Sequence, residues 1–559
     1  MEKLLEIIHS GESLGVEFKS DRGKLSDSII YEEIVALANT NGGFLLIGVE
    51  DDGTITGAKP RHGKTTDSMK IRSAIFNNTV PNLDTSVSVL KHPQGQVLTI
   101  QVSPCSEPCA TASGKSLRRN IGPDGKPQTV PFYPRDQRSR RIDLGLMDFS
   151  AQVMDEVTFN ALDPLEFERL RQSIIRLRGD QSLLDLSNEE LAKALRLVES
   201  RNRKLHPNLA GLLLLGKADV LEKVLPTHNI YFQVLDSQGN VKVNDALSRP
   251  LISALEELGT RFAARNEEQE IQVGLVRLPV PDFAPEGFRE AVNNAILHRD
   301  YSRLGAVYIQ WYPDHLFIAN PGGFPPGISV DNILVHEPVP RNPRLAEAFK
   351  RVGFVEQTGR GVDKIYMGQL HYGRPIPDYS RSNSEGVRVL LRGGEASLQF
   401  AAFVYEQNKL QKPLSLDELL ALNHLFFERR VDSEIIGKLI QKGTTEGHAV
   451  LERLVERGLL QSKGEKRGRV YHLAAPIYAK LGLPREYVRS WGFEPIQQEQ
   501  MILQYIDAHS KITRADVSEL CHLDRNQAYR LLRKMCAKGL IEMKGKLPKG
   551  AYYILKQKK

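Results

Sequence analysis

The sequence predicts a multidomain protein of mixed α/β and α+β class that closes with two helix-turn-helix modules, each carrying a β wing. Three observations carry this expectation. The chain has 559 residues, 41% hydrophobic and 26% charged, an ordinary balance for a soluble protein long enough for about three to five domains. Up to residue 392, segments of helical periodicity alternate with apolar or alternating runs bounded by Gly, Pro and Asp. Residues 401–475 and 496–556 then repeat one rhythm: short helices, a helix ending in Gly-Leu, and a strand pair.

Composition narrows the function classes. No run approaches a continuous apolar span, and MEKLLEIIHS lacks the apolar stretch and cleavage pattern of a signal peptide. Four cysteines cannot build a dense disulfide framework, so a reducing, cytoplasmic location with no membrane partner is expected. The formal charge is +7, yet residues 501–559 hold 13 Lys+Arg and 5 Asp+Glu, a local +8 that leaves −1 for the rest. Local excess is what a polyanion meets.

Residues 1–135 read as a compact α/β module. A short helix precedes a strand around GVEFKS. LSDSIIYEEIVALANT is helical, and FLLIGVEDDGTITG reads as strand, acidic turn and strand, with Asp52-Gly53 suited to a tight hairpin. IRSAIFNNTVPNL is helical, VLTIQVSP is a strand, and SGKSLRRNIGPDG is a basic, glycine-containing loop. Glu17 and Lys19 share a strand face. If neighbouring strands bring Glu12, Glu17, Glu50 and Asp51 together, they can hold Mg2+ or Mn2+, which activates water and stabilises a phosphodiester leaving group. Lys19, Lys115, Arg118 and Arg119 would then hold the phosphate backbone. The plainer reading is a solvated acidic turn. Cys105 and Cys109 do not complete a zinc site and read as loop cysteines.

Residues 136–280 read as a helical and α/β connector running into the next unit. DPLEFERLRQSIIRL, LSNEELAKALRLV and LISALEELGTRFAARN are amphipathic helices; NLAGLLLLGKADVLEKVLP and NIYFQVLDS read as helix then strand. Residues 281–395 form another α/β unit. FREAVNNAILHRD is helical, AVYIQWYPDHLFIANPGG is two strands joined by a turn, NPRLAEAFKRVG is helical, EQTGRGVDKIYMGQL enters a helix through glycines, and GVRVLLRG is a late strand.

Within FREAVNNAILHRDY, Phe288, Val292, Ala295 and Ile296 line one helical face, while Glu290 and Asn294 share a neighbouring one. Alone, this is an ordinary amphipathic helix. With its downstream partners it suits a nucleotide pocket. The Asn294 amide oxygen suits Mg2+, and Glu290, one turn earlier, suits the orientation or deprotonation of a water. Asn293 faces elsewhere. The turn Asn320-Pro321-Gly322-Gly323 permits close approach of a flat base. Gly359-Arg360-Gly361 precedes a helix whose amides can accept phosphate charge, with Arg360 assisting or pairing with a carboxylate. His298 and Arg299 read as bracing residues. No GxxxxGK[ST] run is present, which argues against a P-loop motor.

The last two modules span 396–480 and 481–559. In the final one, ITRADVSELCHL reads as the positioning helix and DRNQAYRLLRKMCAKG as the recognition helix. Arg525, Asn526, Gln527 and Arg530 approach base edges or phosphates, Arg533 and Lys534 add charge, and Lys544, Lys546 and Lys549 occupy the wing. The earlier module is less basic, with Lys466, Arg467 and Arg469 in its wing. A protein-contact role is the alternative for both.

Two resemblances sharpen these readings. ESLGVEFK, ALANTNGGFLLIGVEDDG and SGKSLRRN occur in order and closely resemble a Schlafen AlbA-2 domain over about residues 11–130. That resemblance implies either a nucleic-acid binder or a metal-dependent nuclease, with Glu12 and Glu17 at the first two acidic positions and Glu50 or Asp51 nearest the third. Residues 140–395 resemble the ATPase domain of the GHKL class, which includes gyrase B, Hsp90, histidine kinases and MutL, and more narrowly the divergent form in bacterial RecG-related, Schlafen-type regulators. The resemblance implies ATP and Mg2+ as cofactors and an α/β sandwich. It matches Glu290 to the carboxylate, Asn294 to the Mg2+ ligand, ANPGGFPPG to the adenine motif and TGRGVDKI to the phosphate motif. Asn320 stands where the class offers an aspartate, so the acceptor is retained without its charge.

The expected function is an ATP-responsive, DNA-binding transcriptional regulator with slow hydrolysis. Two alternatives stay open: a metal-dependent nuclease acting on RNA or DNA, under ATP control in antiviral defence, and a noncatalytic scaffold. A homo-oligomer is expected, because a second copy doubles a winged-helix footprint.

Overall fold

The computed structural model describes residues 2–122, 124–273, 276–355, 361–394, 397–464, 469–481, 495–521, 523, 525–544 and 551–556. Gly359, Arg360, Lys546 and Lys549 therefore lie outside the described residues, as do Lys466 and Arg467.

The N-terminal unit is a four-stranded sheet in the order Val16–Lys19, Gly43–Ile47, Gly95–Val102, Thr85–His92. The first pair is parallel and the other two are antiparallel. Period-2 alternation divides its apolar residues between two cores. Leu45, Ile47, Leu98 and Ile100 pack with Ile30, Ile34 and Leu37 of the helix Asp27–Ala38. Phe18, Leu46 and Val97 pack on the other face with Ile8. Ser26 caps the helix by accepting from the Ile29 amide.

Asp52-Gly53 does make the expected turn, with Gly53 at φ +84° and the Gly53 amide bonded to the Glu50 carbonyl at 2.8 Å. The basic stretch expected as a loop is instead a hairpin, Leu117–Ile121 against Pro127–Pro131. Arg119, a cation on the buried face of this strand, masked the alternation.

The central unit holds a five-stranded sheet in the order Val241–Leu247, Ile230–Leu235, Val307–Trp311, His315–Pro321, Gly386–Arg392. It takes its first two strands from before residue 280. The helix Pro285–Leu297 packs on it through Phe288, Val292 and Ile296. The helix Gly361–Leu370 crosses that helix closely because both are bare at the crossing: a Cβ on Gly368 would stand 2.8 Å from the Ala284 Cβ and 3.5 Å from the Gly287 Cα.

One hydrophobic cluster runs from Ala161 through this sheet and on to Leu481. It therefore includes the core of the first winged helix, formed by Leu416–Glu428, Ser433–Leu439, Thr444–Glu456 and the hairpin Leu460–Lys463/Val470–Leu473. The second winged helix, with Arg514–Leu520, Arg525–Ala537 and the hairpin Ile541–Lys544/Tyr552–Leu555, has a core of its own around Ile502, Val517 and Leu532. Among the described residues, no helix is long and apolar enough to cross a membrane.

Candidate functional site

A cavity of about 790 Å³ opens between the Pro285–Leu297 helix, the end of the His315–Pro321 strand and segment 328–340. Glu290, Asn294 and His298 line it as one stripe at successive four-residue steps. Asn294 and His298 are half-buried, while Ala295, Ile296 and Leu297 are buried. Asn293 turns away, as expected, and its amide donates to the Phe354 carbonyl at 2.8 Å.

Gly361 comes to the same cavity from the other side. A Cβ there would lie 3.0 Å from Glu290 Oε2 and 3.7 Å from the Asn294 amide. Residues seventy apart in sequence thus face each other at one opening. Asn320 is buried, lines the cavity and donates from Nδ2 to the Pro321 carbonyl at 3.1 Å, which leaves its side-chain oxygen as the acceptor. Gly323 also lines it.

Gly322 has a different task from the one expected. It lies outside the cavity wall at φ +92°, where a Cβ would collide with the Arg341 guanidinium. Its bareness serves packing rather than ligand approach. Arg341 itself carries no sequence signal. Only 2% exposed, it donates to the His298 carbonyl at 2.7 Å, the Gly323 carbonyl at 2.8 Å and Asp143 Oδ1 at 2.7 Å. It thereby ties the C-terminal end of the Glu290 helix to the turn after Asn320. Burial, reinforced by the Arg341 charge, lowers the His298 pKa to about 4, so the ring is neutral at neutral pH. Arg299 is the brace expected: it is buried, donates to the Thr227 carbonyl and to the Gly305 carbonyl at 2.7 Å, and lies over the Tyr301 ring.

The N-terminal carboxylates do not assemble as expected. Glu12 accepts from the Phe18 amide at 2.9 Å. Glu17 is buried between Lys19 and Arg119, and the same two cations approach Glu33 at 3.3 and 3.9 Å. Glu50 accepts from Ser20 at 2.9 Å and Thr56 at 2.5 Å, and Asp51 lies exposed in the turn. Among the described residues, no three metal-ligating side chains converge. The expected metal set of Glu12, Glu17, Glu50 and Asp51 is therefore corrected: Glu12, Glu17 and Glu50 each serve a separate set of donors, and Asp51 faces solvent.

The phosphate contacts are revised for the same reason. Arg119 is buried, Lys19 is held by two carboxylates, Arg118 approaches Asp136 at 3.7 Å, and Lys115 pairs with Glu32 at 2.6 Å on the surface. Glu33 was missed, although a signal existed. It lies three residues after Ile30 and four before Leu37, so a charge occupied the apolar face of a helix and required a buried partner. Cys109 is a core residue whose thiol burial pushes up to about 12; Cys105 is also free.

The final recognition helix, Arg525–Ala537, buries Ala528, Leu531, Leu532 and Met535. Arg525, Asn526, Gln527, Arg530, Arg533 and Lys534 occupy its exposed face, as the sequence indicates. Tyr529 joins them at 39% exposure, with Arg514 over its ring. Lys544, in the wing strand, approaches Glu542 at 3.0 Å.

Comparisons with known proteins match four stretches of the chain. Residues 12–124 match the family Schlafen, AlbA_2. The N-terminal unit is a Schlafen AlbA_2 domain. Residues 305–391 match HATPase_c_4, the recG C-terminal family, and residues 497–542 match a winged helix-turn-helix DNA-binding family. Residues 141–231 match a domain of unknown function, DUF8451. The recG-type match covers Asn320 and Gly361 but begins after Glu290 and Asn294, so the cavity alone links those two residues to it. The DIP2311 protein of Corynebacterium diphtheriae has the same fold at 22% identity over 86% of this chain and 98% of its own, with a TM-score of 0.51. The N-terminal domain of a RecG-related protein from Nitrosomonas europaea is 19% identical over 18% of this chain and 71% of its own, with a TM-score of 0.14 that carries no structural argument. No curated protein matches.

The AlbA_2 domain and the helix Pro134–Asp143 that follows it touch the central unit through polar contacts. Ser139 donates to Asp300 at 2.5 Å, Ser384 and Asn120 are 3.1 Å apart, and Arg118 approaches Glu385 at 3.9 Å. Within the AlbA_2 domain, burial pushes the Glu17 carboxyl up to about 7 against the pull of Lys19 and Arg119. Between the ordinary value of 4.5 and about 7, the folded state holds a proton that the unfolded chain has released. Stability therefore falls as pH rises through that window, by about 3 kcal/mol. The melting-temperature advantage of wild type over Glu17→Gln should shrink between about pH 4.5 and about pH 7. A pH-independent difference would show that the two cations keep Glu17 ionised throughout.

Proposed function

We propose that the chain is an adenine-nucleotide-responsive, nucleic-acid-binding regulator acting on DNA. One observation carries the nucleotide part: Glu290, Asn294, Asn320, Gly323 and Gly361 line a single cavity. Its volume lies within the range of small-molecule sites. The donor set also fits. Asn294 offers a neutral oxygen to Mg2+, Asn320 an acceptor to an exocyclic amine, and the start of the Gly361–Leu370 helix its amides to phosphate. Bound Mg2+ would supply charge neutralisation at the phosphates. Glu290, 2% exposed at the cavity wall and 3.4 Å from the Arg289 guanidinium, would hold a water or accept its proton.

Titration calorimetry of the full chain with ATP and ADP, with and without Mg2+, tests this reading. Binding in the micromolar range that Mg2+ strengthens is expected, and folded protein without nucleotide affinity refutes it. The exposed stripe of the last recognition helix supports the DNA part. Arg533→Ala should weaken duplex binding in an electrophoretic shift and lower the slope of log affinity against log salt by about 1. An unchanged slope would remove Arg533 from the phosphate contacts. Oligomerisation is proposed on the footprint argument alone, and sedimentation with and without DNA tests it.

A further inference from the structure

The wall of the central cavity is held from outside by the first winged helix. Segment 328–340 contributes Ile333, Leu334 and Val335 to the cavity lining. Its near end is self-contained: Asn332 accepts from the Ser329 amide at 2.7 Å and donates to the Gly327 carbonyl at 2.7 Å. Its far end enters the buried pair Arg341-Asn342. Between these ends, both groups of one distant side-chain amide are engaged. Gln441 accepts from the Leu334 amide at 2.7 Å and donates to the Val330 carbonyl at 2.7 Å.

Gln441 sits in the left-handed region at φ +57°, in the turn between the Ser433–Leu439 and Thr444–Glu456 helices. That turn presents the start of the reading helix in a winged helix-turn-helix, where base contacts concentrate. A residue whose neighbours line the cavity is thus hydrogen-bonded to the turn that aims a recognition helix.

We propose that Gln441 makes the first winged helix the sensor of the cavity. A ligand contacting Ile333, Leu334 and Val335 steadies segment 328–340, and the two Gln441 bonds pass that restraint to the helix-turn-helix turn. Linkage requires the converse: a nucleic acid that displaces the turn weakens the ligand by the same factor. This rests on the nucleotide reading above, and the following experiment separates the two.

Hydrogen exchange is followed by mass spectrometry on the full chain, with and without Mg2+-ATP at a concentration shown by calorimetry to saturate. The variant is Gln441→Gly, because glycine keeps the left-handed turn without strain while removing the side chain. Gln441→Asn, which also tolerates that conformation but is one methylene shorter, is the second variant. In wild type, nucleotide should slow exchange in 328–340 and also in 440–446. In both variants the slowing in 328–340 should persist while that in 440–446 disappears, and without ligand the Leu334 amide should exchange about tenfold faster than in wild type. Nucleotide binding with no wild-type change in 440–446, or with the same change in both variants, overturns the sensor and leaves the nucleotide site standing. Absence of binding overturns the nucleotide reading itself, and the sensor with it.

Discussion

Asn294→Ala is expected to weaken Mg2+-dependent nucleotide binding by about 2 kcal/mol, roughly thirtyfold in Kd. Asn294 is half-buried at the middle of the cavity stripe, facing Gly361. Loss of its oxygen would remove the proposed Mg2+ ligand, which bulk water would replace poorly at this depth. Nucleotide affinity measured in EDTA should barely change, because Asn320, the proposed partner of the base, is untouched. The neighbouring Glu290→Ala should behave differently. It should lower any hydrolytic rate at saturating nucleotide by at least about 100-fold, the lower range for a general base, while affinity stays within a few-fold. Equal loss of Mg2+-dependent and Mg2+-independent affinity in Asn294→Ala would point to a structural role. Unchanged turnover in Glu290→Ala would remove the general-base assignment.

Arg341→Ala should have the largest effect on stability. The guanidinium is buried and satisfies two carbonyls and the Asp143 carboxylate together. Removing it leaves that carboxylate, which burial already raises in pKa against the pull of Arg341, without its closest cation. The carbonyls of His298 and Gly323 lose their donor as well. The expected cost is about 3 kcal/mol, a fall on the order of 6–10 °C in the melting transition of the central unit. Arg341→Lys should recover little, because a single ammonium cannot reproduce the three-way fork. Asp143→Asn should cost less than Arg341→Ala, since it leaves both carbonyl bonds intact. Differential scanning calorimetry of the three variants checks the order. A melting profile and nucleotide affinity unchanged in Arg341→Ala would show that the turn after Asn320 is held without the clamp.

The hydrophobic cores divide the two winged helices. The first is continuous with the central unit, whereas the second has a separate core and carries the exposed basic stripe.

Local pattern was enough for most of the longer helices and for part of the cavity. Helical spacing placed Glu290 and Asn294 on one face and Asn293 off it, and the cavity follows that division. The recognition helix likewise exposes the polar positions its periodicity indicates. Where a charge was buried, the same logic failed. Arg119 on an inward strand position disguised a hairpin as a loop, and Glu17 was read as a metal ligand when two cations already held it.

The sequence by itself determined most of the longer helices, which of their faces are polar, and that the basic charge gathers at the C-terminal end. These are decided within a few residues, by backbone periodicity and side-chain chemistry. Only the tertiary structure decided that Asp143 meets Arg341, that Gln441 meets Leu334, and that Glu33 shares the cations of Glu17. Such partners lie from fourteen to nearly two hundred residues apart, and no local period encodes them. A buried charge or amide declares that it needs a partner, but chain packing chooses which one.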